Sequence, residues 1–455
     1  YLLIMLLSKN ALQNLFCIIL AVTISFNASI NVLLTQFSSI SFIIFFLICL
    51  KNNETSKAIK TNYNNNRSFF IVYIIYLSYL IFQITPLPLS WIEIIAPNNY
   101  DLYSSIKIDK ELWSLSIDPS SSYFSILNCI NCLIIFLTFP SLFNRSRYLM
   151  KFTFFLCTLG FFHSIFATYW MLIGNPSNFL IEKVHYLNAS TGLFINRSVY
   201  GTFLFLCAFS ALYYIVIFFL KNKITNLNFI EQITSKIFLI RIFIIFLSLG
   251  ILTTWSRAAN FSYVLILFTF LFYSRINFKK FINPLSTVII FILAFDVLVL
   301  GLYFGNARII ERYMGTSIIN EIQRISYQEF GLDQFKNFWL FGYGNGAFEQ
   351  IYKIFFENHD ALVQHVHNDG IELLGEVGII GITILIVLSI FYFKKLIKGI
   401  HNKKELARFI LISLLLLILF IQSLVDYSMH APGILILLIT ILSIGLINFT
   451  NNNRY

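Results

Sequence analysis

The chain has 455 residues, of which 58% are hydrophobic and only 12% are charged. A soluble domain is nearer to half apolar and a quarter charged, so this composition indicates a protein that resides in lipid and excludes an ordinary soluble enzyme. The formal net charge of +11 does not indicate nucleic-acid binding, because the basic residues lie in short loops between apolar segments, where membrane topology accounts for them.

In chain order, the apolar runs predict about twelve transmembrane helices, each close to the roughly 20 residues that a bilayer requires. The predicted spans are 11–27, 30–50, 68–89, 122–142, 148–173, 198–220, 237–255, 258–273, 284–303, 370–393, 409–425 and 431–449. We therefore expect an all-α fold, a polytopic membrane helical bundle. The cysteines lie within apolar runs, and although Cys129 and Cys132 have the spacing of a zinc half-site, no second pair exists.

The basic residues predict the orientation of the helices. When the N-terminus is assigned to the cytoplasm and the spans alternate, 22 of the 32 basic residues fall on the cytoplasmic side with three acidic residues. The outer side keeps 10 basic and 18 acidic residues. This excess satisfies the positive-inside rule at every loop, so both termini are expected to be cytoplasmic.

This topology divides the chain into three regions. Residues 1–303 carry predicted helices 1 to 9 with outer loops near 90–121 and 174–197, residues 304–369 form a large outer loop, and residues 370–455 carry helices 10 to 12. The large loop contains Gly, aromatic and charged residues and is expected to pack as a partly helical cap. Long non-spanning loops in compact proteins are usually functional.

Several chemically capable side chains from separate parts of the chain fall at the outer face. They are Arg197, Arg257, Arg324, His365, His367, Asp426 and His430. Outer arginines run against the positive-inside rule and need another explanation. Arg197 and Arg257 could also snorkel from helix ends, and Arg324 could pair with a neighbouring glutamate. Their convergence on one side favours a functional site.

Two further features have separate interpretations. The glycine-rich stretch from Phe341 to Phe348, which includes Gly344, does not follow a strand of a βαβ unit, so it does not predict a dinucleotide site. Alternating glycines permit a tight turn, and contact of the backbone N–H groups with phosphate stays open. Asp296 lies within an apolar run, where a carboxylate is costly and often functional.

The segment from His365 to Gly378 resembles the signature of the O-antigen ligase superfamily, above all in His367-Asn368 followed by Gly378-Ile379-Ile380-Gly381. Other stretches resemble the same family in the same order: Phe194-Ile195-Asn196-Arg197-Ser198, Thr254-Trp255-Ser256-Arg257-Ala258, Arg324 followed by 341–348, and 423–432 with Asp426 and His430. The resemblance covers roughly residues 110–445. Ser198 stands where the family usually has Asn, and Gly370 where it often has a bulky aromatic residue.

The resemblance implies a helical fold related to C-type glycosyltransferases, in a bacterial inner membrane, with the active site on the periplasmic face. Such proteins transfer a glycan from a polyprenyl (undecaprenyl) diphosphate carrier to an acceptor hydroxyl, with no cofactor and no metal. The acceptor is the lipid A core in ligases, the growing glycan in polymerases, and a Ser or Thr in protein O-oligosaccharyltransferases. We expect ligase-type activity, with the other two as alternatives.

The chemistry assigns roles to the matching residues. Diphosphate needs no general acid to leave but needs its charge stabilised, which suits the guanidinium groups of Arg197, Arg257 and Arg324. His367 matches the family's essential histidine and is expected to be the base or to orient the acceptor. Attack opposite the leaving group would invert the anomeric centre. Supporting positions are His365, which is expected to face elsewhere, together with Asn368, Asp369, Glu372, Gly344, Asp426 and His430.

A transporter or flippase for the same lipid-linked glycans is the alternative of a different class. Transporters place charged residues near the bilayer midplane and often contain broken helices and internal repeats. Here the arginines and His367 gather at one face, Asp296 alone is deep, and no internal repeat is apparent. The sequence therefore favours an enzyme.

Overall fold

The computed structural model of the protein is almost entirely helical in the parts of the chain that it describes. These are residues 7–26, 32–106, 111–176, 185–222, 236–277, 318–356 and 363–448. The first eight helices are α1 Lys9–Ser25, α2 Val32–Lys51, α3 Asn53–Asn65, α4 Arg67–Ile84, α5 Leu89–Ile95, α6 Pro97–Ser105, α7 Pro119–Leu142 and α8 Ser146–Leu172. They are followed by α9 Arg197–Asn222, α10 Lys236–Thr253, α11 Arg257–Asn277, α12 Ile318–Asn337, α13 Phe348–Phe355, α14 Asp369–Lys398, α15 Lys403–Ser423 and α16 Pro432–Leu442.

Eleven of the twelve predicted spans coincide with helices of the structure. Eight helices are long and apolar enough to cross a membrane, and three shorter apolar helices run over Lys9–Ser25, Arg257–Tyr273 and Pro432–Leu446. The remaining predicted span, 284–303, lies outside the described residues, as does Asp296 within it. The structure therefore confirms a polytopic helical membrane protein.

Aromatic packing joins the N-terminal helices. The ring of Phe16 on α1 lies 5.7 Å from that of Phe45 on α2 and 5.7 Å from that of Phe139 on α7. Phe139 in turn meets Phe152 on α8 edge to face at 4.8 Å. Offset and edge-to-face aromatic pairs are favourable beyond the area that they bury, and they fix the mutual orientation of the helices that carry them.

A polar bridge inside the bundle holds three helices that lead to the outer face. The buried amide of Gln422 on α15 donates to Thr202 Oγ1 on α9 at 2.6 Å and accepts a hydrogen bond from Ser262 Oγ on α11 at 2.9 Å. Interhelical hydrogen bonds between such side chains stabilise membrane bundles. The bridge fixes the first halves of α9 and α11 relative to the end of α15.

The outer segments contain short elements that cap the bundle. Leu87–Pro88 pairs antiparallel with Leu112–Trp113, with Leu87 opposite Trp113. In the predicted large loop, α12 and α13 enclose a separate apolar cluster that includes Phe338, Phe348 and Val366. The described part of this loop is therefore partly helical, as the sequence predicted.

Helix α14 is broken near its outer end at Gly378, where φ is 60° and ψ is −173°. A Cβ atom here would lie 2.5 Å from the carbonyl oxygen of Leu340, so the close approach of the 338–342 turn requires glycine. The turn replaces missing helical hydrogen bonds, because the N–H of Ile379 donates to Trp339 O at 2.8 Å. The outer part of α14, before the break, carries the polar residues of the candidate site.

Candidate functional site

Asn368 begins α14 and ties it to the segment after α15. Its Oδ1 accepts the N–H of Ile371 at 3.0 Å, which is the hydrogen bond of an N-cap. Its Nδ2 donates to the carbonyl of Leu424 at 3.0 Å, and the N–H of Asp369 donates to the carbonyl of Asp426 at 3.2 Å. These contacts bring two segments together that are far apart in the chain.

His430 is held by carboxylates from one face of α14. Asp369, Glu372 and Glu376 are spaced so that a helix presents them on one side. His430 Nδ1 bonds the Asp369 carboxylate, while its Nε2 lies 3.5 Å from Glu372 Oε1 and 3.7 Å from Glu376 Oε2. Burial disfavours a charge on His430, but Glu372 and Asp369 outweigh it and raise the pKa of His430 well above its ordinary value.

His365 is bound to the same carboxylate. Its Nδ1 lies 2.7 Å from Glu372 Oε1, and the other oxygen of Glu372 accepts the N–H of Val366 at 2.8 Å. The His365 ring stacks on Tyr427 with centroids 4.4 Å apart, and it lies 5.5 Å from the ring of His430. His365 thus belongs to the carboxylate cluster. Glu376 and Tyr427 are site residues that the sequence analysis did not select.

His367 has different surroundings. Its backbone φ of 60° is left-handed, which is uncommon for a residue other than glycine. Its ring meets Tyr427 edge to face at 4.9 Å and lies roughly parallel to Tyr327 at 6.4 Å. Burial, together with the nearby charge of Arg324, lowers the pKa of His367 to about 4, so its ring is neutral at pH 7.

Asp426 stabilises the turn that follows α15. Its carboxylate accepts the N–H of Tyr427 and the hydroxyl of Ser428, each at 2.9 Å. Burial nevertheless raises the pKa of Asp426 to about 6. Asp426 therefore holds the turn that presents Tyr427 and His430.

Two of the arginines stand at helix starts that are linked to Tyr427 through their neighbours. Arg197 and Arg257 are the first residues of α9 and α11, and their neighbours Ser198 and Ser256 have hydroxyl oxygens 3.1 Å apart. Asn196 caps α9 and also donates to the Tyr427 hydroxyl. The structure thus connects the starts of these two helices to the histidine segment.

The positions of Arg197 and Arg324 are indicated by the side chains near them. Arg197 lies over the ring of Tyr186 at 5.0 Å. Arg324 on α12 is near enough to act electrostatically on His367 and Asp426. All three predicted arginines therefore lie on elements that meet around the 365–369 and 424–430 segments.

The glycine-rich stretch forms a turn against α14. Gly344 has φ of 109°, and a Cβ atom on it would lie 2.2 Å from Ser116 Oγ, so only glycine fits. Its N–H donates to the carbonyl of Glu376 at 3.1 Å, and the N–H of Gly346 donates to the Glu376 carboxylate at 2.8 Å. These N–H groups bond protein acceptors, which agrees with the structural turn that the sequence favoured.

A cavity of about 460 Å³ lies beside the carboxylate cluster and extends between α4, α7, α14 and α16. One end is lined by polar groups: Asn345, Gln364, His365, Asp369, Glu372, Glu376 and His430. The remainder is mostly apolar and includes Phe69, Tyr73, Cys129, Cys132, Leu388, Tyr392, Leu435 and Ile439. His367 does not line this cavity, whereas His365 does.

Within the described ranges, the ligand-type atoms of His365, Glu372 and His430 lie within 4.8 Å of one another. Two ligands at about 2.0 Å from one tetrahedral metal would lie about 3.3 Å apart. The 2.7 Å separation of His365 Nδ1 and Glu372 Oε1 is instead that of a hydrogen bond. We therefore interpret these residues as a hydrogen-bonded network. The six cysteines are all free, and no zinc half-site partner appears for Cys129 and Cys132 among the described residues.

The fold and the site together define a multi-pass helical membrane protein with a buried histidine–carboxylate network where the start of α14 meets the 424–430 segment. A family model described as O-antigen ligase matches residues 242–386, which confirms the predicted similarity to the O-antigen ligase superfamily. The match supports a bacterial membrane enzyme of the glycosyltransferase or ligase type. It includes Arg257, Arg324 and His367, whereas Arg197, Asp426 and His430 lie outside it. No match to a curated protein was found.

Proposed function

We propose that this protein transfers a glycan from a polyprenyl diphosphate carrier to an acceptor hydroxyl on the periplasmic face of the inner membrane. The proposal rests on the contacts of Tyr427, whose hydroxyl is linked through Asn196 to two arginine-bearing helix starts and whose ring stacks on His365 of the histidine–carboxylate network. Such a site has a cationic half for a leaving diphosphate and a basic half for an attacking hydroxyl.

In the donor half, Arg197, Arg257 and Arg324 hold the diphosphate. A guanidinium is permanently charged and bonds phosphate through two N–H groups, so it stabilises the charge that develops as the anomeric C–O bond breaks. Screening by water is reduced near the membrane, which strengthens each contact. A good leaving group of this kind needs no protonation, and attack from the opposite side inverts the anomeric centre.

In the acceptor half, His367 acts as the base or orients the acceptor. Its ring is neutral at pH 7, as either role requires. Asn368 and Asp369 hold the start of α14 against the 424–430 segment, while Asp426 and Gly344 support the turns on either side of the site. No step requires a metal ion.

The cavity supports an acceptor that carries a lipid. Its polar end can receive a sugar, and its apolar walls lie between membrane helices and suit a hydrocarbon chain. The lipid A core of an O-antigen ligase reaction has both parts, and so does the lipid-linked glycan of a polymerase. A Ser or Thr of a protein would leave the apolar walls unused. We therefore favour ligase-type transfer to the lipid A core.

The test is transfer by the purified full-length chain in liposomes. The donor is a polyprenyl diphosphate glycan with a labelled sugar, offered with rough lipopolysaccharide, with no other acceptor, or with a Ser/Thr-rich protein. Label in the lipopolysaccharide supports the ligase proposal, whereas longer lipid-linked glycan or labelled protein assigns one of the alternatives.

A transporter makes a different prediction in the same liposomes. Label would then cross the bilayer on its original carrier, with no new glycosidic bond. Movement without bond formation would overturn the proposed enzyme.

A further inference from the structure

His365 and His367 lie two residues apart but differ in what they can reach. His365 lines the cavity and bonds Glu372, and its side chain is 30% exposed. His367 does not line the cavity, and it lies near Arg324, whose positive charge disfavours protonation of its ring. A base must accept a proton during attack, so the surroundings of His365 suit this role better than those of His367.

The bond to Glu372 also sets which nitrogen of His365 is available. The carboxylate accepts a hydrogen bond, so Nδ1 carries the proton and Nε2 keeps its lone pair. Glu372 is itself held by the N–H of Val366 at 2.8 Å, and the imidazole ring is held by its stack on Tyr427. A base oriented by a third group in this way is a recurring arrangement for activating a hydroxyl.

We infer that His365, oriented by Glu372, removes the proton of the acceptor hydroxyl in the cavity, and that His367 orients the acceptor rather than deprotonating it. This inference rests on the proposed glycan transfer and assigns its acid–base chemistry to a second imidazole.

The step balances without another reactant. The acceptor O–H bond breaks, its proton moves to His365 Nε2, and the oxygen forms a bond to the anomeric carbon. The bond from that carbon to the diphosphate oxygen breaks, and its electron pair leaves with the diphosphate. Glu372 stabilises the imidazolium, which later gives its proton to water.

The charged side chains of the cavity indicate which of the two substrates it receives. The described residues that line the cavity include the carboxyl groups of Asp369, Glu372 and Glu376 but no lysine or arginine, the side chains that bind a diphosphate best. A sugar hydroxyl needs no such cation. The cavity therefore suits the acceptor, while the arginines suit the donor.

His430 is assigned as a positioning residue. Its ring lies against Glu372 on the side away from Val366, so it holds the carboxylate that holds His365. The titratable groups that surround His365 are Glu372 on α14, His430 and Tyr427 on the 424–430 segment, and His367 on its own segment.

The test is the pH dependence of single-turnover transfer, measured in liposomes with whichever acceptor the unchanged protein uses. The rate of the unchanged protein falls at low pH as the base is protonated. His365→Gln should lower the rate by about 10²- to 10⁴-fold and remove this fall at low pH, the acid limb of the pH profile. Glu372→Gln should lower the rate and move the limb to lower pH, because the imidazolium loses its counter-charge. His367→Gln should keep the limb and chiefly raise KM for the acceptor.

The exposed His401 provides the matched control, since His401→Gln should leave rate and profile unchanged. Binding of the donor by each variant shows whether that variant is folded. If His365→Gln does not bind the donor, the pH profile of Glu372→Gln tests the inference in its place. Three outcomes overturn the inference while leaving glycan transfer intact. They are a normal transfer rate in His365→Gln, an unchanged pH profile in Glu372→Gln, and a loss of the fall in rate at low pH that occurs only in His367→Gln. Absence of transfer by the unchanged protein with every acceptor refutes the proposed function instead.

Discussion

The hydroxyls of Ser198 and Ser256 lie 3.1 Å apart, and each belongs to the residue next to an arginine at a helix start. This contact joins α9 to α11 at the level where Asn196 reaches the Tyr427 hydroxyl. Two arginine-bearing helix starts are thereby linked to the turn that carries His430. A short hydrogen-bonded path therefore links the donor half of the proposed site to its acceptor half.

If Arg197 and Arg257 stabilise one leaving diphosphate, replacing either with alanine should lower kcat by about 10²- to 10³-fold, or about 2.7–4 kcal/mol of barrier. The double variant should lose less than the product of the two effects, because both residues act on the same group. Steady-state transfer in liposomes measures this. Arg145→Ala, next to a helix start on the predicted cytoplasmic side, is the control, and an equal loss there would contradict the assignment.

Replacing His430 should change how stability depends on pH. The folded-state pKa of His430 is raised, so its contribution is complete below about pH 6.5 and is lost as pH rises through the folded value. His430→Gln should remove this dependence and destabilise the protein by about 3–5 kcal/mol near neutral pH, because buried carboxylates lose their counter-charge.

Thermal unfolding of the detergent-solubilised chain across pH measures both effects. His401→Gln should retain the slope of the unchanged protein. An unaltered slope in His430→Gln would mean that His430 is not charged in the folded state.

The close packing of the 342–346 turn predicts that Gly344→Ala is more destabilising than Gly174→Ala. Gly344→Ala places a methyl group 2.2 Å from Ser116 Oγ, whereas a Cβ on Gly174, which also has a positive φ of 85°, would meet nothing within 4 Å. Both variants incur backbone strain, of the order of 1 kcal/mol or more, but only Gly344→Ala adds a collision. Gly344→Ala should therefore lower Tm clearly more than Gly174→Ala, and equal shifts would argue against a close-packed turn.

Filling the apolar part of the cavity should weaken binding of the acceptor and leave binding of the donor unchanged. Leu388 lines the cavity, so Leu388→Trp should raise KM for a lipid-bearing acceptor with little change in donor KM. Ile390 lies on the same helix and is 45% exposed, so Ile390→Trp is the control at the lipid-facing surface. A rise in donor KM alone would assign the cavity to the carrier lipid.

Transfer should not depend on a metal ion. His365 and Glu372 are joined by a hydrogen bond, and the arginines supply the charge that a cation would otherwise provide. Activity in liposomes should therefore be equal before and after dialysis against a chelator. Loss of transfer that returns with one divalent cation would show that the histidine–carboxylate network binds metal.

The sequence predicted the helices well, because bilayer thickness and the cost of unpaired backbone groups leave apolar segments little choice of structure. The predicted span 370–393, for example, coincides with α14, which begins at Asp369. The arginines were singled out by their position on the outer side, although their roles stay predictions. The signal for Glu376 was also present, since Asp369, Glu372 and Glu376 recur at helical spacing at the end of an otherwise apolar segment.

By itself, then, the sequence determined a bundle of apolar helices and the chain segments from which its chemistry comes. Only the tertiary structure decided that Glu372 holds His365, that His430 stands among three carboxylates, and that Tyr427 contacts both His365 and Asn196. Spacing along the chain carries no information on contacts between the 365–376 and 424–430 segments. Those contacts form because buried polar groups must find partners, and the nearest ones lie on another helix end.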